Sequence, residues 1–284
     1  ATTTISRFFE RNRGRALSTC WLGLSLAEFI LPVLIVFLLT FIEWRDIWVS
    51  ISILVIIILP IASYFLVKEV KLYTREHSNK ESITKEIKQW KRIEVLKDYR
   101  FYIVCMTMLA MPWIATGAFV YQSFITNSKD WGPYVIAQSF MVYSILSVVT
   151  LFISGFLIDK FSSRKLLIYM NIPLFFSTVV LFYFDAEISS FFFFGLLGVT
   201  NGLANVLGSS TWAEIYGVKY IGSIKALTTA LMVFATAFGT ALFGYLIDRG
   251  FSIEQIGVIS AIYISISLIS LFLIRGKLNP KLSN

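Results

Sequence analysis

G-F-L-I-D-K-F-S-S-R-K, residues 155–165, sets one acid and three bases between two long apolar runs. Those runs, 131–158 and 166–184, contain no charged residue. About 20 apolar residues rising ~1.5 Å each cross the hydrocarbon of a bilayer as a helix. The stretch therefore reads as a short cationic turn joining two membrane helices at one face. Working outward, further uncharged runs occupy 47–67, 101–126, 188–213, 226–247 and 255–274, and 16–42 is apolar apart from one acid, Glu28. Eight spans follow. Composition points the same way: of 284 residues 57% are hydrophobic and 15% charged, whereas soluble domains are about a quarter charged. The expected fold class is an all-α polytopic membrane protein.

With eight spans both ends of the chain lie on one side, and Lys and Arg decide which. Residues 1–15 carry four, 68–100 ten, 159–165 three, 214–225 two and the tail from 275 three; the opposite loops 43–46, 127–130, 185–187 and 248–254 carry one, one, none and one. A split of 22 against three places both ends in the cytoplasm. The formal charge of +8 is thus a matter of topology, and a nucleic-acid partner is not implied. Two cysteines in apolar surroundings and a single histidine, His77, exclude a disulfide framework and a metal site built on several His or Cys. No phosphate-binding loop of the G-x-x-x-x-G-K-[S/T] type is present, and no cofactor is expected. Ala1 is not a methionine, and A-T-T-T-I-S reads as the end of an apolar segment already under way.

The longest hydrophilic segment is 68–100. Within it S-N-K-E, residues 78–81, fits a capping box, and Ile83, Ile87 and Trp90 follow at helical spacing. An amphipathic helix on the inner leaflet, anchored by Trp90, is one reading, and a solvated charged loop is the other. Two internal echoes occur: G-F-L-I-D-K (155–160) with G-Y-L-I-D-R (244–249), and R-A-L-S-T (15–19) with K-A-L-T-T (225–229). The first pair ends spans of opposite direction, as in the inverted repeats of many transporters.

Glu28 lies about 12 residues into a 27-residue run, near the bilayer midplane. A carboxylate there is costly, so it is neutralised by protonation or by a partner, and no Lys or Arg shares its depth. It is a candidate for proton coupling, or else a permanently protonated carboxyl bonded to a neighbouring helix. Asn201, Asn205 and Ser209 form one polar face at i, i+4, i+8, either lining a cavity or bonding another helix. Gly198 and Gly202 make a G-x-x-x-G pair suited to close helix approach. Tyr121, Gln122, Gln138 and Tyr143 are further cavity candidates.

The pattern G-x-L-x-D-[R/K]-x-x-x-R-[R/K], matched here by Gly155, Leu157, Asp159, Lys160, Arg164 and Lys165, resembles the signature loop of the major facilitator superfamily, with Ser163 replacing the usual glycine. R-N-R-G-R-A-L with G-L-S-L-A-E-F-I-L-P and E-W-R is similar to the passage from the fourth to the fifth helix of bacterial members. E-V-L-K-D-Y-R-F-Y looks like their approach to helix seven, and W-A-E-I-Y-G-V-K-Y-I-G-S-I-K-A-L like their loop between helices ten and eleven. The resemblance implies helices five to twelve of a twelve-helix carrier, with the N-terminal helices missing. Its divisions would be 1–67 (a stub and the last two helices of the first half), 68–100 (a cytoplasmic linker) and 101–284 (the six-helix second half). It also implies that Asp159 meets the helix beginning at residues 14–16, so that with Arg13 or Arg15 it forms a cytoplasmic gate.

The expected function is secondary transport of a small solute by alternating access, as a monomer in a bacterial inner membrane, with proton-coupled symport or antiport. The resemblance favours a small organic anion such as a monocarboxylate, although no cation for it is visible inside the spans. The rivals are a lipid-processing membrane enzyme, which would want clustered acids, His or Cys at one depth, and a non-transporting receptor or assembly subunit.

Overall fold

The computed structural model of the chain describes residue 5 and residues 12–77 and 88–280; the side chains of 24–33, 36, 66–77, 133 and 137 are not among those described. The described residues form helices and no strand. In order they are α1 (Arg13–Leu38), α2 (Trp44–His77), α3 (Arg92–Leu96), α4 (Tyr99–Val120), α5 (Gln122–Lys129), α6 (Pro133–Phe161), α7 (Ser163–Leu166), α8 (Ile172–Tyr183), α9 (Glu187–Tyr216), α10 (Ile221–Asp248) and α11 (Ile253–Ile274). Among the described residues seven helical stretches are long and apolar enough to cross a membrane. They correspond to α2, α4, α6, α7 with α8, α9, α10 and α11. Helix α1, 26 residues long, occupies the remaining expected span. Bilayers enforce this architecture because every backbone amide must find its partner inside the segment.

The chain divides into two compact units, residues 1–25 with 87–284, and residues 26–86. The second unit comprises the rest of α1 and all of α2. Helix α2 continues ten residues beyond the expected apolar limit, to His77. Its apolar side chains from Ile53 to Phe65 are largely exposed.

In the first unit α6 packs along α9, α9 also meets α8, α11 joins α8 to α4, and α4 packs on α10. The α6–α9 contact is close because of Gly198 and Gly202. A Cβ on Gly198 would strike the Tyr143 carbonyl, and one on Gly202 would strike the Ser147 carbonyl. Polar links fasten the other seams. The Asn171 amide donates to the Thr107 carbonyl at 2.7 Å, the Ser267 hydroxyl to Thr107 Oγ1 at 3.0 Å, and the Tyr263 hydroxyl to the Met106 carbonyl at 2.8 Å.

The amphipathic-helix segment 78–87 lies outside the described residues, but its expected anchor is packed against protein. Trp90 is only 6% exposed. Its N–H donates to the Tyr216 carbonyl at 3.1 Å, and its ring meets that of Tyr216 edge-on. Next to it the Lys219 N–H donates to Gln89 Oε1 at 2.9 Å, beneath Gly217, whose φ of 83° and missing Cβ admit the glutamine. Arg100, also buried, is paired with Asp98 and donates to the carbonyls of Lys277 and Asn279 at 2.8 and 3.1 Å. The end of the linker is thus bolted to the turn after α9 and to the tail after α11. Trp90→Ala is expected to destabilise the first unit by about 3–5 kcal/mol, read as chemical unfolding in detergent. A loss below about 1 kcal/mol would mean that this end of the linker is not docked.

At the opposite end, Lys129 has a fully buried side chain. Its ammonium meets Asp185 at 2.6 Å and Glu254 at 2.7 Å, while the Trp131 indole donates to the Asp185 carbonyl at 2.9 Å. One cation therefore ties together three hydrophilic turns, 127–130, 185–187 and 248–254. Burial alone would disfavour the ammonium, but the two carboxylates outweigh it and raise its pKa above the ordinary 10.5.

Candidate functional site

At the cation-rich end the first amides of α1 have no partner within their own helix. Asp159, near the end of α6, accepts hydrogen bonds from the Gly14 N–H at 2.7 Å, the Arg15 N–H at 3.2 Å and Arg15 Nε at 3.0 Å. A carboxylate is favourable there because the helix dipole is positive at that end. The approach depends on two glycines. A Cβ on Gly14 would collide with the Gly155 carbonyl, and one on Gly155 with the Ser18 hydroxyl. Arg15 is further steadied by the Asn12 side chain at 2.6 Å and lies 5.7 Å from the Phe156 ring. Arg15 pairs with Asp159, and Arg13 lies at the first position of α1.

The other end of the same turn is held by a residue that the sequence reading missed. Glu214, near the end of α9, accepts from the N–H groups of Ser163 and Arg164 at 2.9 and 3.3 Å. Lys165 remains exposed. The available signal was an acid just past the apolar run 188–213, on the same face as the basic pair.

A cavity of about 540 Å³ is walled by α4, α6, α9, α10 and the first turns of α1. Its size is that of small-molecule sites. Asn201, Asn205 and Tyr143 line it. Asn201 Nδ2 also donates to Ser147 Oγ at 2.9 Å, so it serves the α6–α9 seam as well. Tyr121, Gln122 and Gln138 are not brought to the cavity. Helix α4 stops at Val120, so the expected run to residue 126 is broken at Tyr121 and its register is lost. The Tyr121 ring stacks on Phe243 with its hydroxyl against Gly244, Gln122 opens α5, and Gln138 is exposed on α6. Glu28 falls within α1, in the other unit, and its side chain lies outside those described.

The cavity also contains what the sequence reading found missing from the spans, a cation. By charge alone Lys225 falls in the loop 214–225, since it ends the apolar run. The helix, however, begins at Ile221, which places Lys225 inside α10 and on the cavity wall. Its ammonium is buried and makes no hydrogen bond among the described residues. The indole N–H of Trp21, on the same cavity, is buried and unpaired too. The echo of R-A-L-S-T in K-A-L-T-T was the available signal, since it sets Lys225 at the point equivalent to Arg15. Among the described lining residues there is no carboxylate. Chemically, the site offers a positive charge and buried donors with no negative charge among the described lining residues to match.

The family profile of the Major Facilitator Superfamily matches residues 1–239. No curated protein sequence matches the chain. With most of its length matched, and with membrane-length helices packed around a cavity, the chain belongs to the Major Facilitator Superfamily, whose members are secondary transporters.

Proposed function

We propose that the protein carries a small organic anion across a bacterial inner membrane by alternating access, working as a monomer with both ends in the cytoplasm and coupled to proton movement. The observation that carries the anion reading is the Lys225 ammonium, buried and unpaired on the cavity wall. An unpaired buried charge is destabilising, and an anionic solute removes that cost on binding. In this reading residues 1–67 close the first half of the carrier, 68–100 link the halves, and 101–284 form the second half. Glu28 is the proton-coupling group in this reading, supported by its depth in an apolar span, where a carboxyl is costly. Asp159, Gly14 and Arg15 form a latch that favours one access state and opens in the other.

The test is uptake by the full-length chain in proteoliposomes under an imposed proton gradient. Accumulation of a monocarboxylate such as benzoate is expected to require Lys225. Glu28→Gln is expected to abolish gradient-driven accumulation while sparing exchange of solute. Undiminished proton-linked accumulation in Glu28→Gln would remove that residue from the mechanism, and undiminished uptake in Lys225→Met would remove the anion site.

A further inference from the structure

The furnishing of the cavity is lopsided. Lys225 is the one basic side chain among its described lining residues. Two buried donors, Lys225 Nζ and Trp21 Nε1, have no acceptor, and Asn205 adds an amide. A carboxylate, with about four acceptor positions on its two oxygens, suits such a cluster. Most of the remaining wall is apolar and soft: Met108, Met111, Met170 and Met232 contribute thioethers, and Phe119 and Trp212 contribute rings. Thioethers and rings adapt to an apolar body and pack well against aromatic faces.

We propose that this cavity selects amphipathic monocarboxylates, with a single carboxylate held by Lys225 and Trp21 and an apolar body, ring-shaped or branched, against the methionines and aromatic rings. This rests on the anion reading above and narrows it. A dicarboxylate brings a second charge to a wall with no second cation among its described lining residues, and burying that charge unpaired is strongly disfavoured. A very small carboxylate satisfies the donors but leaves the apolar wall uncovered, and so forgoes most of the available contact. A neutral amide of the same shape leaves the ammonium uncompensated. Selectivity therefore comes from one charge against one charge, and from the surface left over.

The test is calorimetric binding to the full-length chain in nanodiscs, with benzoate, acetate, phthalate and benzamide as probes. Benzoate is expected to bind at least about tenfold more tightly than acetate or phthalate, with benzamide weaker still. Lys225→Met is expected to weaken benzoate about a hundredfold, Lys225→Arg to retain most binding, and Trp21→Phe to weaken it about fivefold. Lys225→Gln keeps a donor without the charge and guards against a folding defect in the methionine variant; wild-type affinity there would overturn the charge assignment. Acetate or phthalate matching benzoate, with binding still dependent on Lys225, would overturn the selectivity while leaving the anion reading standing. Failure of every carboxylate to bind would overturn both.

Discussion

Asp185→Asn combined with Glu254→Gln is expected to destabilise the protein by about 3–5 kcal/mol. The double substitution leaves the Lys129 ammonium buried with neither of its carboxylates, whereas both sit at 2.6–2.7 Å in the native protein. Lys129→Met should cost much less, because the orphaned Asp185 side chain is 78% exposed and is taken up by water. The triple substitution should recover most of the loss, since three uncharged side chains of similar volume leave no unpaired buried charge. Chemical unfolding in detergent checks the series; equal losses in the single and double variants would refute the account of the clasp. The pH dependence has a definite sign. The pKa of Lys129 is raised in the folded state, so its contribution is complete below the ordinary value of 10.5 and fades as pH rises through the higher folded value. Melting temperature should therefore drop in that alkaline window, and the drop should be smaller in Lys129→Met.

Asp159→Ala is expected to free the start of α1. It removes two charge-assisted bonds from backbone amides, each worth about 1.5–3 kcal/mol, and an ion pair to Arg15. That pair adds little, because the arginine side chain is 49% exposed. Amide exchange at Gly14 and Arg15 should accelerate by about tenfold to a hundredfold, while amides in the middle of α9 are unchanged. Asp159→Asn, which keeps an acceptor but not the charge, should fall between. If the latch favours one access state, the alanine variant should also shift that equilibrium by about 1–3 kcal/mol, seen as altered labelling of Cys20 from the two sides of the membrane. Unaltered exchange at residues 14 and 15 would contradict the hydrogen bonding; unaltered labelling would contradict the gating role alone.

The helical architecture was legible in the sequence for a physical reason: hydrocarbon permits no unpaired backbone and few charges, so span and turn segregate in composition. The contact of Asp159 with α1 was accessible because the family pattern supplied the partner and helix-terminus electrostatics supplied the chemistry. What failed was register and tertiary burial. Tyr121 breaks the helix where an uninterrupted apolar run suggested continuity, so Gln122 does not reach the cavity, and Gln138 lies on an exposed face of α6. Trp90, among lysines, reads as an interfacial anchor, yet packing with Tyr216 and the bolts around it pull it inside. Lys225 was lost to a rule that ends a span at the first charge. A helix obeys its hydrogen bonds, and α10 begins one turn before that lysine.

The most direct measurement of the central claim, that the Lys225 cavity is the binding site of an anion carrier, is benzoate counterflow in proteoliposomes. Saturable uptake of labelled benzoate is expected, accelerated by unlabelled benzoate inside, preserved in Lys225→Arg and lost in Lys225→Met. Uptake that rises linearly with concentration, shows no acceleration and is the same in Lys225→Met would contradict it.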